Sequence, residues 1–476
     1  MSMLWNKPVF LLLAAVLCAI GASLKLPLLL ALGMLLVVIA FWKLPDAPAL
    51  PALDGRVLVF YWLLLLGLIG SGLASWLALQ HNFKYDSLDT LLWLAAVLLV
   101  AGGALWHDHR LRLWGTETAS PASTRARWID IGTVCAITLA AVMLRTVDLR
   151  GMPPVVHGDE GEVGMLALRV LGNTDEPLPI FAATIFGHNP AGFPYLTAPF
   201  IALFGRNEVG LRLLAALCGA ASAPLLYLIG RRGWGVPAGA AAGWLLAVSH
   251  FHIHYSRIAV PNIGNAFLVV LLVWTLFRAY GRNVRFFAHA PPLEADNGTA
   301  IRTRLGTLRL AVPLADFVGV GLVIGFSQYV YHGSRLLLLI AAFAFLYLLF
   351  ARKATLLQIM VTCLVALIVV APLGTYFVSH WEEFAGRTED VFIFTERNLK
   401  NAMGPDATFA ADLLPYLNHQ FVTTLSFLTG SGDRSSFYIA ELPIFDPITL
   451  VLMWLGFGAV LARIRRFEES VVAAWF

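Results

Sequence analysis

Long apolar runs alternate with short polar connections along most of the chain, and this alternation predicts a bundle of membrane-spanning helices. A helix needs about 20 apolar residues to cross a bilayer, and shorter runs suffice where neighbouring helices shield the ends. The first run follows Lys7 as a signal peptide would, but a second apolar run comes directly after it, so we predict that it is not cleaved. The fold class is therefore predicted to be an all-α polytopic membrane protein with twelve helices, at residues 8–23, 27–42, 57–79, 89–107, 128–147, 209–229, 237–255, 263–280, 314–331, 334–350, 355–375 and 448–463.

The composition agrees with a membrane protein and excludes several other classes. Of the 476 residues, 59% are apolar and only 13% are charged, which is too apolar for a cytosolic enzyme, a disulfide scaffold or a disordered regulator. The net charge of +4 is small and the basic residues are scattered, so the expected partner is the lipid bilayer and not nucleic acid. Four cysteines lie inside apolar runs without paired spacing and indicate small core residues: Cys18, Cys135, Cys218 and Cys363.

The distribution of Lys and Arg in the short connections predicts the orientation. Basic residues are favoured on the cytoplasmic side of a membrane. With the N-terminus inside, the short outer loops hold only Lys25, Lys84, Arg257 and Arg335, and the remaining short-loop cations lie inside. We therefore predict a multi-pass protein of the inner (plasma) membrane with both termini in the cytoplasm.

That orientation places two long polar stretches outside, Asp148 to Glu208 and Tyr376 to Pro447. Together they hold 17 of the 29 acidic residues, seven in the first and ten in the second. A carrier usually keeps its working polar groups within helices near the middle of the bilayer. Polar chemistry gathered on one face instead predicts an extracytoplasmic site.

The first outer stretch holds the sharpest local motif, His157-Gly158-Asp159-Glu160-Gly161-Glu162. The residues from Glu162 to Leu171 have the periodicity of an amphipathic helix, so Asp159 or Glu160 is expected near its N-terminus, where the helix dipole favours a carboxylate. Such a carboxylate at the membrane edge can accept a proton from a hydroxyl or an amine. The same pattern also fits a helix cap with a capping acid, and spacing alone does not separate the two.

A second segment, residues 186–204, is apolar but too short and too rich in Pro and Gly to span comfortably. It is predicted to be a helix lying along the membrane interface, with His188 and Asn189 facing the outer loop. A lone histidine is as often a satisfied hydrogen-bonding group as a ligand, and both interpretations stay open for His188.

An ordered set of short motifs between about residues 128 and 463 resembles the GT-C glycosyltransferases, in particular the protein O-mannosyltransferase and lipid A aminoarabinose transferase groups. Each motif is short, but their order and spacing agree with the predicted topology. The set consists of Asp159-Glu160-Gly161 with Ala167-Leu168-Arg169, His188-Asn189-Pro190 with Tyr195-Leu196, Phe204-Gly205-Arg206-Asn207-Glu208 with Leu211-Arg212-Leu213, Tyr227-Leu228 with Gly230-Arg231-Arg232 and Trp234-Gly235, Ser256-Arg257-Ile258-Ala259, and Phe445-Asp446-Pro447.

The resemblance implies a fold organisation and a reaction. It implies a GT-C catalytic core (128–375) that includes the first outer loop (148–208), a second outer loop domain (376–447), and a last helix with a cytoplasmic tail (448–476). The first four helices (1–127) lie outside the resemblance and are predicted to form an added N-terminal module. The resemblance also implies transfer of a sugar from a polyprenyl-phosphate carrier to an acceptor at the outer face, with inversion at the anomeric carbon. In the family's first loop an aspartate activates the acceptor, and this role carries over to Asp159, with Glu160 completing the catalytic pair.

The chain departs from the family pattern at Asn262. Family members often have an acid there, and the chain has Ala259-Val260-Pro261-Asn262. Asn can hydrogen-bond a sugar, but it is a poor ligand for a divalent metal. We therefore expect no metal and no cofactor, with the carrier's phosphate neutralised by basic side chains.

Candidates for donor-phosphate or substrate binding are polar residues expected at the outer ends of helices or in the outer loops. Charges at the membrane interface are costly and are often functional, although snorkelling or ion pairing can also explain them. The candidates are His188, Arg257, Asn262, Tyr331, His332, Arg335 and Arg387, with Arg397 a weaker one.

Two other function classes are compatible with the composition. A transporter or lipid flippase would show repeated halves and charges in the middle of helices, and neither is evident here. A catalytically inactive relative serving as an assembly scaffold would be favoured by Asn262 and disfavoured by an intact Asp159. The acceptor is left open between a lipid, a glycan and a protein.

Overall fold

A computed structural model describes residues 55–111, 113, 124–172, 176–185, 189–289, 300–303, 306–429, 437–438 and 442–475. The predicted helices at 8–23 and 27–42 lie outside these residues. The described chain is almost entirely helical. Its helices are α1 (Gly55–Gln80), α2 (Ser87–Arg110), α3 (Thr124–Thr146), α4 (Gly158–Val170), α5 (Gly192–Phe204), α6 (Glu208–Trp234), α7 (Val236–Val248), α8 (His250–Ser256), α9 (Pro261–His289), α10 (Ala315–Val330), α11 (Arg335–Phe350), α12 (Leu356–Ser379), α13 (Trp381–Val391), α14 (Glu396–Met403), α15 (Phe409–Thr429), α16 (Pro447–Ala462) and α17 (Phe467–Trp475).

Four short strands form two antiparallel pairs within the described residues. Strand β1 (Ala183–Ile185) pairs with β2 (Asn189–Pro190), and β3 (Ala300–Thr303) pairs with β4 (Gly306–Arg309). The first pair lies between α4 and α5, and the second lies between α9 and α10.

The prediction of an all-α polytopic membrane protein is confirmed. Seven of the described helices are long and apolar enough to cross a membrane, and the bent pair α7–α8 adds an eighth if it forms one span. Helices α10 and α16 are apolar but shorter, with 16 residues each. The remaining predicted runs correspond to helices whose ends lie within about five residues of the expected positions, apart from α9 and the run at 237–255.

Helix α9 continues past its predicted end at residue 280 to His289. Arg282 in this extension and Arg278 just before it form ion pairs with neighbouring carboxylates. Arg282 contacts Asp108 of α2 at 2.8 Å and Asp316 of α10 at 3.3 Å, and Arg278 contacts Asp316 at 3.1 Å. These ion pairs join three helices at the end of the bundle away from the long loops, which we call the tail end.

The run predicted as a single helix at 237–255 is broken at Ser249, where α7 and α8 meet at an angle of 59°. A helix end leaves carbonyl groups without their usual partners. Here the fully buried Arg145 of α3 donates to the carbonyls of Leu246 and Ala247, at 2.9 Å each, and contacts His252 at 3.0 Å. The break is therefore stabilised by a buried cation that local periodicity does not reveal.

Helices α1 and α2, which belong to the predicted N-terminal module, pack into the same bundle as the predicted catalytic core. The indole of Trp93 donates to the carbonyl of Val369 at 2.8 Å, and Ser71 donates to the carbonyl of Ile368 at 2.6 Å. The Trp93 ring also contacts Phe181 of the first long loop and Tyr329 of α10, at 5.5 and 5.2 Å between centroids. One hydrophobic cluster thus includes residues from α1, α2, α10, α12 and the first loop.

Candidate active site

Two buried arginines organise the start of the first long loop. Arg257 follows α8 and donates to the carbonyls of Leu144, Val147, Asp148 and Met152 at 2.6–3.1 Å. Arg212 of α6 donates to the carbonyls of Leu149, Pro153 and Val155 at 2.8–3.0 Å. Together they satisfy the main-chain acceptors at the end of α3 and in the loop that follows, so the chain enters α4 in a fixed direction.

Helix α4 begins four residues earlier than predicted because His157 caps it. The Nδ1 atom of His157 accepts from the amide of Asp159 at 3.2 Å, and Glu160 accepts from the amide of His157 at 3.0 Å. This reciprocal arrangement is a capping box with histidine in the usual place of Ser or Thr. The capping roles therefore fall on His157 and Glu160. Asp159 projects from the first turn with 35% of its side chain exposed, 3.7 Å from Nδ1 of His157.

Glu160 has a different environment from Asp159. Its side chain is fully buried and its carboxylate faces the Arg212 guanidinium, at 2.9 Å from Nε and 3.0 Å from Nη2. The same carboxylate accepts from the amide of Ala259 at 2.8 Å. Glu160 thus ties α4 to α6 and to the segment before α9, and these contacts suit a positioning role. The predicted partnership of Glu160 in catalysis stays a prediction.

The second long loop reaches the first through Phe437 and Tyr438. The Phe437 ring lies 4.3 Å from the His157 ring, and the Phe437 carbonyl contacts Nε2 of His254. The Tyr438 hydroxyl contacts Nδ1 of His250. Both loops therefore meet beside Asp159, at the end of the bundle that we call the loop end.

A lateral groove of about 620 Å³ opens between α10, α11, α12 and the start of α13. Most of its wall is aliphatic or aromatic, as expected for a surface that holds a lipid chain. Representative wall residues are Leu338, Phe345, Ala366, Val370 and Phe377.

Polar residues gather where this lateral groove reaches the loop end: Gln328, Tyr331, His332 and Arg335. Arg335 donates to the carbonyl of Phe384 at 2.8 Å, and its guanidinium carbon lies 3.7 Å from the centre of the Phe384 ring. His332 is held by Asn189 of the first loop, whose side-chain oxygen lies 2.6 Å from Nδ1 of His332. Both long loops therefore contribute to the polar end of the groove.

The close fit between the first loop and α10 requires a glycine at position 192. A Cβ atom added there would lie 2.4 Å from the Tyr329 carbonyl oxygen, far inside van der Waals contact. Helix α5 consequently begins against the last turn of α10, next to the Asn189–His332 contact. The predicted segment 186–204 is helical only from Gly192 onward, because Asn189 and Pro190 pair with β1.

The structure brings some of the predicted site residues together and separates others. Tyr331, His332 and Arg335 share the end of the lateral groove. Arg257 is directed to main-chain carbonyls, and burial lowers its pKa. Asn262 is exposed in the first turn of α9, and Arg397 is exposed on α14. His188 and the side chain of Arg387 lie outside the described residues.

Several residues of this region could not be identified from the sequence. Gln328 donates to the carbonyl of Ser334 at 3.1 Å and fixes the turn that carries His332. The His250, His254 and Phe437 contacts join positions more than 180 residues apart. Arg212 had one usable signal, since an arginine near the start of an apolar helix needs a partner.

No group of three or more His, Cys, Asp or Glu side chains within the described parts of the chain is arranged to hold a metal ion.

The family model described as dolichyl-phosphate-mannose-protein mannosyltransferase matches residues 188–289. This match confirms the predicted resemblance to the GT-C mannosyltransferases over that segment. The segment includes Asn189, Arg212, Arg257 and Asn262, and it begins after Asp159 and Glu160. No curated protein is similar enough in sequence to count as a match.

Solved structures of an archaeal oligosaccharyltransferase from Archaeoglobus fulgidus are similar to the chain. The structure with a tethered acceptor peptide matches with a TM-score of 0.43 and 16% identity, over 73% of this chain and 46% of that one. The complex of the same enzyme, AglB, with an inhibitory peptide and a dolichol-phosphate matches with a TM-score of 0.45 and 16% identity, over 74% and 47%. The chain thus spans about half the length of the solved structures that it matches.

Proposed function

We propose that the protein is a membrane glycosyltransferase that transfers a sugar from a polyprenyl-phosphate donor to an acceptor at the loop end, with inversion at the anomeric carbon. The observation that carries the proposal is the lateral groove, which is apolar along its length and basic where it meets both long loops. This combination fits a ligand with a long apolar chain and an anionic head. The family match over residues 188–289 supports a donor of this class.

Within this proposal, Asp159 is the general base. A direct displacement needs a base on one face of the anomeric carbon and the leaving phosphate on the other. The Asp159 side chain is partly exposed and takes no part in the helix cap, whereas the Glu160 side chain is buried against Arg212. Asp159 therefore deprotonates the acceptor, and Glu160 holds the helix that presents it. Arg335 and His332 stabilise the charge that develops on the leaving phosphate.

Arg335 is expected to bind the donor phosphate. The Arg335→Gln variant keeps a hydrogen-bonding side chain but loses the charge, so we expect the dissociation constant for polyprenyl phosphate to rise by about tenfold or more. Titration of purified protein with polyprenyl phosphate measures this change. The matched control is Arg169→Gln, because Arg169 is in the first loop and its guanidinium contacts the exposed Glu176, at 3.1 Å from the carbonyl and 3.9 Å from the carboxylate. Equal affinities in both variants would remove Arg335 from the phosphate site.

The loop end is proposed to face outward, away from the cytoplasm. Arg110, Arg231, Arg232 and Arg463 lie at helix ends of the tail end, where the positive-inside rule places cytoplasmic charges. A protease site fused after Phe476 should therefore be protected in sealed right-side-out vesicles and cleaved after detergent is added. Cleavage without detergent would place the loop end in the cytoplasm.

Transfer is proposed to proceed without a divalent metal, since Asn262 replaces the acid that relatives often carry. We expect purified enzyme to keep most of its activity in excess EDTA. The measurement is the initial transfer rate before and after chelation, with Mg²⁺ or Mn²⁺ added back. A rate that collapses in EDTA and recovers with metal would contradict this expectation.

A further inference from the structure

A second groove lies on another side of the bundle, between α7 and α16, and none of its lining residues is shared with the lateral groove. It has a volume of about 590 Å³ and borders a smaller space of about 320 Å³, with which it shares Leu226, Trp234, Ala242 and Val472 as lining residues. We call it the α7–α16 groove. Its wall is apolar except at its ends, where Ser249 and Thr449 lie at the loop end and Arg463 and Glu469 lie at the tail end.

Helix α16 forms one wall of this groove without being packed into the bundle. None of its residues is buried, and its main contact among the described helices is with α17. The 16 residues of α16 extend about 24 Å, most of the thickness of the hydrocarbon core. The groove is therefore long enough for an extended acyl or prenyl chain and open to the bilayer from the side.

A series of residue contacts links the loop end of the α7–α16 groove to the helix that carries Asp159. Ser249 lines the groove and caps α8, whose first residue, His250, contacts Tyr438. The ring of the neighbouring Phe437 packs against the ring of His157, which caps the helix that carries Asp159. A molecule whose chain lies in the groove would thus place its headgroup at the end of the bundle where the two long loops meet.

The charge at this mouth differs from that of the lateral groove. Asp446 precedes α16 and accepts from Thr449, and hydrogen bonds from the Thr449 side chain and amide hold the pKa of this exposed carboxyl below its usual range. An ionised Asp446 repels a phosphate, whereas Ser249 and Thr449 can bond to hydroxyl groups. The lateral groove ends instead at Arg335 and His332. The α7–α16 groove consequently suits a lipid with an uncharged, hydroxyl-bearing head.

An inverting displacement requires the acceptor and the leaving phosphate to lie on opposite faces of the anomeric carbon. The two grooves are built on different helices, α10–α13 on one side and α6, α7 and α16 on the other, with α9 packed between α6 and α10. Resting on the glycosyltransferase function proposed above, we infer that the acceptor is itself a membrane lipid, with its chain in the α7–α16 groove and its sugar or polyol headgroup directed to Asp159.

The experiment uses full-length protein in nanodiscs and two lipids that carry a photoactivatable group in one acyl chain. One is a monoglucosyl diacylglycerol and the other is a phosphatidic acid. The test variant is Gly456→Trp, because Gly456 lines the groove and a Cβ atom there meets nothing within 4 Å. The control is Gly458→Trp, on the same helix with equal space but absent from the groove lining.

We expect the glycolipid to label peptides of α7 and α16 more strongly than the phosphatidic acid does. Gly456→Trp should reduce this labelling by about tenfold, because the indole fills the space of the lipid chain, and Gly458→Trp should leave it unchanged. In cells, the lipid that gains one sugar through the wild-type enzyme should be lost with Gly456→Trp and kept with Gly458→Trp.

Three results would overturn the inference. Equal labelling by both lipids would indicate only bulk bilayer lipid in the groove. No labelling of α7 and α16 would indicate that residues 1–54 or a second copy of the chain fills it. A sugar found on protein alone would exclude a lipid acceptor. Failure of the proposed function itself would give a different result. The wild-type protein would then neither bind polyprenyl phosphate nor release it from a sugar-loaded donor, regardless of the labelling result.

Discussion

The Asp159→Asn variant is expected to transfer sugar about 10²–10⁴ times more slowly than the wild type, with little change in its affinity for polyprenyl phosphate. Asn keeps the size of the side chain and removes its basicity, so the contribution of a general base is lost. Donor affinity should be retained, because we propose that it depends on the lateral groove and Arg335. The measurements are the single-turnover transfer rate and the dissociation constant for polyprenyl phosphate, made on one preparation of the variant.

The structure makes this substitution a cleaner test than the sequence suggested. The side-chain capping roles belong to His157 and Glu160, so Asp159→Asn leaves the helix cap intact and tests the carboxylate alone. Loss of a charge in the first helical turn should cost only about 0.3–1 kcal/mol of stability. The control is Glu162→Gln, which removes a carboxylate one turn further along α4. A normal transfer rate in Asp159→Asn, or equal losses in both variants, would remove Asp159 from the chemistry.

The sequence predicts the helices well because their signal is local. Each membrane-spanning helix needs a run of apolar residues, and the bilayer enforces that requirement regardless of tertiary context. The ends of α1, α6 and α12 are accordingly close to their predicted positions. The extension of α9 was missed because Arg282 and Arg285 give it the composition of a polar connection, and the pairing of Arg282 with Asp108 and Asp316 is not visible in the local sequence.

The candidate site was predicted only in part, because many of its contacts join residues that are far apart in the sequence. Asp159 was singled out by its helix-start motif and by the family resemblance, and His332 and Arg335 were singled out because charged groups at a membrane edge are costly. The roles of Glu160 and Arg257 depend on partners far along the chain, since Glu160 meets Arg212 across 52 residues and Arg257 meets Met152 across 105. Both grooves lie between helices that are distant in the sequence, so the hydrophobic periodicity of a single helix does not predict them.

Replacing Arg212 with methionine should destabilise the protein by about 3–5 kcal/mol, because it leaves the buried Glu160 carboxylate without its cation. The same change removes the donors to the carbonyls of Leu149, Pro153 and Val155, so the loop that leads into α4 loses its fixed direction. We expect a clear drop in the apparent melting temperature, measured at one scan rate in one detergent, together with loss of transfer.

A control variant and two variants of Glu160 test whether this loss of stability comes from the buried Arg212–Glu160 pair. Arg206→Met is the control, because Arg206 is exposed just before α6 and surface charges contribute about 0–1 kcal/mol to stability.

Glu160→Gln should lower the melting temperature less than Arg212→Met, since the Arg212 guanidinium keeps its three carbonyl acceptors. Adding Glu160→Gln to Arg212→Met should recover part of the lost stability, because the unpaired charge is then gone. No recovery in the double variant would show that the loop carbonyls, and not the Glu160 charge, set the cost. Since Asp159→Asn is expected to leave the melting temperature nearly unchanged, the two substitutions together separate the residue proposed to react from the pair proposed to hold it in place.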